Sequence, residues 1–259
     1  MPTITDEAIC IRQWDWSETS QTVSLFARAT GVIRGVAKGS KRPRSPYSGG
    51  LEVLTRGELT AALKRPGALS IVTSWDLRDP YPPIRRDLVL LHTALLVVDL
   101  IHHALREEDP HPALYDDACA TLESLAGDHA EPARDLLAFQ WSLARETGHR
   151  PELDRRADTG AALERGETYC FSPEYGGLLP DPPDARVPGH IWRVREETVR
   201  ALRASRDARD DATGGAALIR ANQLLATFLG DRLGFELPTL APWVAAMARR
   251  GMGDNDPPE

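Results

Sequence analysis

Hydrophobic and polar residues alternate over roughly the first 80 positions, then recur with a helical period. Within Ser20–Ser48, Val23, Leu25 and Ala27 take one side, and Thr22, Ser24 and Arg28 largely take the other. Gly31 interrupts the run, and a second extended segment, Val32 to Ala37, follows it. Period-two alternation on both sides of a Gly-containing turn predicts a β-hairpin. Residues 4–14 hold another short strand, with Ala8, Cys10 and Arg12 opposed to Ile9 and Ile11. Leu51–Leu63 and Leu69–Trp75 are strand-like runs joined by Lys64-Arg65-Pro66-Gly67-Ala68, a second hairpin with a basic tip. Five short strands with little helix suit a small Greek-key barrel. The five-stranded oligonucleotide-binding barrel (OB-fold) is the economical reading, although an SH3-like barrel uses the same strand count and spacing does not separate the two.

Prolines at 80, 82 and 83 forbid both ladder bonds and helix interior, so Asp79–Pro83 reads as the boundary between residues 1–80 and the remainder of the chain. Helices are predicted over Ile84–Glu107, which is apolar nearly all round, and over Ala113–Ala126, Glu131–Glu146, Ile191–Ala204, Gly215–Leu233 and Leu240–Arg249. Residues 150–190 are rich in Pro, Gly and Asp and read as irregular. The predicted architecture is α+β and multidomain. An OB-fold barrel over 1–80 precedes a helical domain over 81–250, which carries an irregular insertion at about 150–190. Residues 251–259 read as a disordered acidic tail.

Charge sharpens this division. Residues 1–80 hold 11 Lys and Arg against 8 Asp and Glu, whereas the rest holds 20 against 30. All three lysines, Lys38, Lys41 and Lys64, lie in the first quarter of the chain. The second strand of the first hairpin runs into Lys38-Gly39-Ser40-Lys41-Arg42-Pro43-Arg44, with no acid between Glu18 and Glu52. Arg28 and Arg34 lie on the strands feeding this loop, and Lys64 and Arg65 sit on the other basic tip. A sheet with a basic rim is the electrostatic footprint of a phosphate-backbone binder, so these eight cations are the candidate DNA contacts. If about four phosphates are neutralised, log K should fall against log salt with a slope of roughly -3 for single strands. Trp14 and Trp16 suit either of two roles, stacking on unpaired bases or capping the barrel core.

Other chemistries find little support. Cys10, Cys119 and Cys170 are odd in number, far apart and without metal-type spacing, which fits a reducing cytosolic compartment. No signal peptide is visible, and His92, Asp99, His102 and His103 interrupt the longest apolar run. His92, Asp99 and His103 share one helical stripe, which reads as a polar seam before it reads as a metal site. Walker, dinucleotide and GxSxG motifs are absent, so no catalytic residue, small-molecule substrate or membrane partner is expected.

Three ordered segments resemble the bacterial recombination mediator family RecO. Glu18-Thr19-Ser20 with VSLFARATGVIRGVAKGSKRPRS resembles that family's first hairpin and basic loop. Arg106-Glu107-Glu108-Asp109-Pro110-His111-Pro112-Ala113-Leu114-Tyr115 resembles its junction between helices. Pro151-Glu152-Leu153-Asp154, Phe171-Ser172-Pro173 and Gly176-Gly177-Leu178 resemble its knuckle region. The resemblance implies an OB-fold followed by a helical domain. It implies a non-enzymatic protein of the cytoplasm and nucleoid that binds single- and double-stranded DNA, anneals complementary strands and helps load RecA. The implied partners are RecR and the acidic tail of single-strand-binding protein. Arg145 and Arg220 are candidate flanks for that tail. An OB-fold scaffold that binds protein instead of DNA is the alternative. Many relatives carry zinc on two cysteine pairs in the knuckle, where this chain has Arg156, Thr159, Pro180 and Pro183, so no metal is expected. Leu229-Gly230-Asp231-Arg232-Leu233 also lacks the basic patch that often follows it in relatives, which leaves DNA binding to the N-terminal part.

Overall fold

A computed structural model describes residues 2–42, 45–48, 50–64, 67–183, 187–209 and 213–253. The chain forms two compact units, Met1–Ala130 and Glu131–Glu259.

In the first unit, six strands follow one another: β1 (Thr3–Asp15), β2 (Gln21–Ala27), β3 (Gly31–Ala37), the two-residue β4 (Tyr47–Ser48), β5 (Arg56–Ala62) and β6 (Ser70–Asp79). The sheet order is β3-β2-β1-β5-β6-β4, and a parallel pairing of β3 with β6 closes five long strands into a barrel. That closure is the OB-type barrel expected from the strand inventory, with β4 as a short addition beside β6. The alternation read from the sequence defines its interior: Ala8, Cys10, Val23, Leu25, Ala27, Ile33, Leu59, Val72 and Trp75 form one buried cluster. Each fully buried Leu, Ile or Val in it contributes about 1.5–3 kcal/mol relative to exposure.

Two features depart from simple alternation. Between Cys10 and Arg12 the β1–β2 register shifts, so Cys10 pairs with Leu25 but Arg12 pairs with Ser24. A bulge reverses the parity of the strand beyond it. Arg12 therefore shares the outer face with Trp14, not the inner face with Ala8 and Cys10. The run Leu51–Leu63 is strand only from Arg56; Leu54 has φ +62° and ends a turn that donates its N–H to the Cys10 carbonyl at 3.0 Å.

The proline run separates strands from helices, yet the compact unit extends to Ala130 because three helices belong with the barrel. These are α1 (Pro82–Arg86), α2 (Leu88–Ala104) and α3 (Pro112–Ala126). The single helix expected over Ile84–Glu107 is interrupted at Asp87, whose backbone is extended. Its carboxylate caps α2 by accepting from the Val89 and Leu90 N–H groups at 2.8 and 3.0 Å. α2 touches β1, and the Phe26 ring meets Tyr115 of α3 edge-on at 5.6 Å, covering part of the barrel's outer face. Gly31, the first residue of β3 where the chain leaves the turn, has φ +81°, and a Cβ there would lie 2.2 Å from the Asp109 carbonyl oxygen. Only glycine fits both the turn and that approach.

The second unit comprises α4 (Pro132–Glu146), β7 (Thr168–Ser172), β8 (Gly177–Leu179), β9 (Trp192–Arg195), α5 (Glu196–Arg206), α6 (Gly215–Leu233) and α7 (Leu240–Gly253). Its core carries a polar tie: the buried Asn222 amide donates to the Ala133 and Leu218 carbonyls at 2.8 and 2.9 Å and accepts from Gln140 Nε2 at 3.1 Å. Three sequence expectations change here. The stretch read as irregular contains β7 and β8, which form a three-stranded antiparallel sheet, order β8-β7-β9, with β9 beyond it. The helix expected from Ile191 begins only at Glu196, because Trp192–Arg195 is strand β9. The first three residues of the expected tail continue α7, and 254–259 lie outside the described residues.

Candidate nucleic-acid interface

Six of the eight predicted contact cations lie among the described residues. Arg28 and Arg34 turn to the helices of their own unit. The Arg28 guanidinium grips Asp116 of α3 through Nε and Nη2, each at 2.8 Å, and hydrogen bonding to that carboxylate raises the arginine's pKa. Arg34 Nε lies 3.1 Å from Glu107 Oε1, just beyond α2. Strand parity explains the second pair. Arg34 lies opposite Ser24, which lies opposite Arg12, so both arginines project from the helix-covered face. Arg12 accordingly meets the buried Asp99 of α2. Arg28 and Arg34 are thus half-exposed and each paired with a carboxylate of their own unit. Arg44 and Arg65 lie outside the described residues. Lys64 is half-buried, and its backbone N–H donates to Ser70 Oγ at 3.2 Å.

The rim itself is built from two loops. Past β3, residues 38–42 curl around Gly39 (φ +72°), with the Arg42 side chain lying against it. Three hydrogen bonds fasten this loop to the β1–β2 turn and the start of β2: Gly39 N–H to Ser20 Oγ at 3.1 Å, Lys41 N–H to the Thr19 carbonyl at 3.2 Å, and Ser40 Oγ to Gln21 Oε1 at 2.9 Å. Lys41 also pairs with Asp15 through its ammonium. Lys38 and Arg42 are exposed and have no carboxylate partner among the described residues.

The turn also carries the tryptophans. Trp16 is 61% exposed and Trp14 47%, so neither caps the barrel core. One side of Trp14 leans on His102, with ring centroids 6.2 Å apart. Beneath it, Asp99 joins Arg12 to His103, whose Nε2 lies 3.3 Å away. His102 is pushed down to about 4 by burial, with Arg12, His103 and Arg34 adding repulsion. Asp99 and His103 thus belong to a polar seam tying α2 to β1. Among the described residues, no group of three or more His, Cys, Asp or Glu side chains could hold a metal ion.

The knuckle does not suit zinc. Arg156 grips Asp158 at 2.8 and 3.1 Å, and Thr159 Oγ1 donates to the same carboxylate at 3.2 Å. Between Pro180 and Pro183, Asp181 accepts from Thr168 Oγ1 at 2.6 Å and from Arg193 at 2.7 Å (Nε) and 2.9 Å (Nη2), with the Cys170 thiol 3.6 Å away. A guanidinium, a hydroxyl and two prolines supply no thiolate for a tetrahedral zinc site. Beside this sheet, a groove of about 420 Å³ is lined by Trp192, Arg193, Arg195, Arg220, Leu224 and Thr227. Arg220 is thus on a groove, sharing Glu197 with Arg195; Arg145 lies elsewhere, 3.6 Å from Glu146. Sequence reasoning missed Arg195, since it read that segment as helix. No helix among the described residues is long and apolar enough to cross a membrane.

Comparisons with known proteins cover nearly all of both units. A family model described as recombination protein O N terminal matches residues 1–81, and one described as recombination protein O C terminal matches residues 85–241. A "DNA repair protein RecO" from Rhodopirellula baltica is 31% identical over 173 residues, 66% of this chain and 64% of that protein. One of the same name from Verminephrobacter eiseniae is 31% identical over 222 residues, 84% of this chain and 83% of that protein. Another, from Dehalococcoides mccartyi, is 30% identical over 197 residues, 76% of each.

Proposed function

Because this chain belongs to the recombination protein O (RecO) family, we propose that it acts in DNA repair as a non-enzymatic mediator that binds DNA through its barrel rim. The observation that carries this reading is the fastened pair of loops presenting Lys38 and Arg42 to solvent without a carboxylate partner among the described residues. Cations so placed neutralise phosphates and carry no base readout, so sequence specificity is low. Screening the charge on two strands relieves their mutual repulsion, which favours annealing. Family membership further supports RecR as a partner, help in loading RecA and action in the cytoplasm.

The groove beside β9 supports a second contact, with the acidic tail of single-strand-binding protein. Such a tail needs an apolar floor and flanking cations, and Trp192 and Leu224 with Arg195 and Arg220 offer both.

The test is annealing of complementary oligonucleotides, with and without a coat of single-strand-binding protein. The protein should accelerate annealing in both cases, and Lys38→Ala/Arg42→Ala should lose most of the acceleration on bare strands. Arg195→Glu should lose it only on coated strands. A parent protein that accelerates neither reaction and binds no oligonucleotide would leave the protein-binding scaffold as the reading.

A further inference from the structure

Phosphate contacts do not distinguish one strand from two, and the Lys38–Arg42 loop alone would hold either. The adjoining turn adds a different chemistry. Trp14 and Trp16, the two most exposed tryptophans among the described residues, flank Asp15 on the turn that the cationic loop is bonded to. Neither closes the barrel core, which other residues fill, with Trp75 buried inside it. The turn is also ordered by its own bonds, since the N–H groups of Trp16 and Ser17 donate to the Ser20 carbonyl at 3.0 and 3.2 Å. Asp15 is engaged by Lys41, which leaves Glu18 as the remaining acid in the turn.

We propose that Trp16, backed by Trp14, stacks on unpaired bases of a strand whose phosphates lie along Lys38 and Arg42, and so gives this rim its preference for single over double strands. This rests on the DNA-binding reading above. Bases in a duplex are already stacked and hide their faces, whereas every unpaired base offers one, whatever its sequence. The cationic neighbours favour a polyanion over a purely apolar partner, and the tryptophans favour the single-stranded form of it.

Binding of a fluorescein-labelled oligo(dT) and of a labelled duplex should be measured for the full chain and for Trp16→Ala, Trp16→Phe and Trp14→Ala. Trp16→Ala should weaken single-strand binding by about fivefold or more. Duplex affinity and the salt slope should stay as in the parent, and Trp16→Phe should recover most of the loss. Oligo(dT) should also quench parent tryptophan emission, and the quench should shrink in Trp16→Ala. Since Trp16 is exposed, an unchanged melting curve checks that the variant is folded. Trp16→Ala binding oligo(dT) as tightly as the parent overturns the stacking while leaving the phosphate rim intact. Equal losses on both strand forms also overturn it. A parent that binds neither form removes the underlying reading and this one with it.

Discussion

His102 illustrates how burial sets the chemistry of one side chain. Its imidazole sits between α2 and the outer face of β1, and burial first, then Arg12, His103 and Arg34, disfavour a proton on it, while Asp99 opposes them weakly. With a folded value of about 4 against an ordinary 6.5, the unfolded chain binds the extra proton between those values. Stability is therefore unaffected by this group above about pH 6.5, falls as the pH drops towards 4, and has lost the full contribution below that. Replacing His102 with Gln should leave urea midpoints near pH 7 little changed and make the decline down to about pH 4.5 shallower than in the parent. Parallel declines in the two proteins would show that His102 does not govern the acid response of this seam.

The knuckle makes the same point for a whole element. Asp181 joins β7, through Thr168, to β9, through Arg193, and Arg193 first and Thr168 second hold its carboxyl below the usual carboxylate range. A clamp of hydrogen bonds thus ties the two strands together. Untagged protein should purify without stoichiometric zinc, and a chelator should leave its melting curve in place. Asp181→Ala should lower the melting temperature, because the hydroxyl and guanidinium lose their shared acceptor. The Asp181 contribution is present above the ordinary Asp range and is lost as the pH falls through the lowered value. This sheet was not legible in the sequence, since β7, β8 and β9 span only 5, 3 and 4 residues and lie among Pro and Gly. The first hairpin was legible because Val23, Leu25 and Ala27 alternate with Thr22 and Ser24, and Gly31 punctuates two extended runs. Alternation on β1 misled at Arg12, because a one-residue bulge leaves no mark in composition. Cation positions were legible, but not their partners: Asp116 lies 88 residues from Arg28, a distance no local pattern spans.

Counted over the molecule, the chain is acidic, at -7, and only its first 80 residues are net basic. Nucleic acid can therefore be held at a limited patch, and the ion pairs decide which cations belong to it. Exposed pairs such as Arg28–Asp116 are individually weak, about 0–1 kcal/mol. Opening one nevertheless presents a phosphate with a carboxylate as well as a guanidinium. Net counterion release then comes from cations that lack an acid, and Lys38 and Arg42 are exposed residues of that kind on the described rim loop. At about 0.7 per phosphate on a single strand, Lys38→Ala/Arg42→Ala should flatten the slope of log K against log salt by about 1.4. Arg28→Ala/Arg34→Ala should leave that slope near the parent value, although sequence position alone ranks those arginines as contacts. Titrating labelled oligo(dT) at several salt concentrations separates the two cases. A flattening in the Arg28/Arg34 variant equal to that in the Lys38/Arg42 variant would mean that the strand displaces Asp116 and Glu107 and runs along the helix-covered face of the barrel instead of its rim.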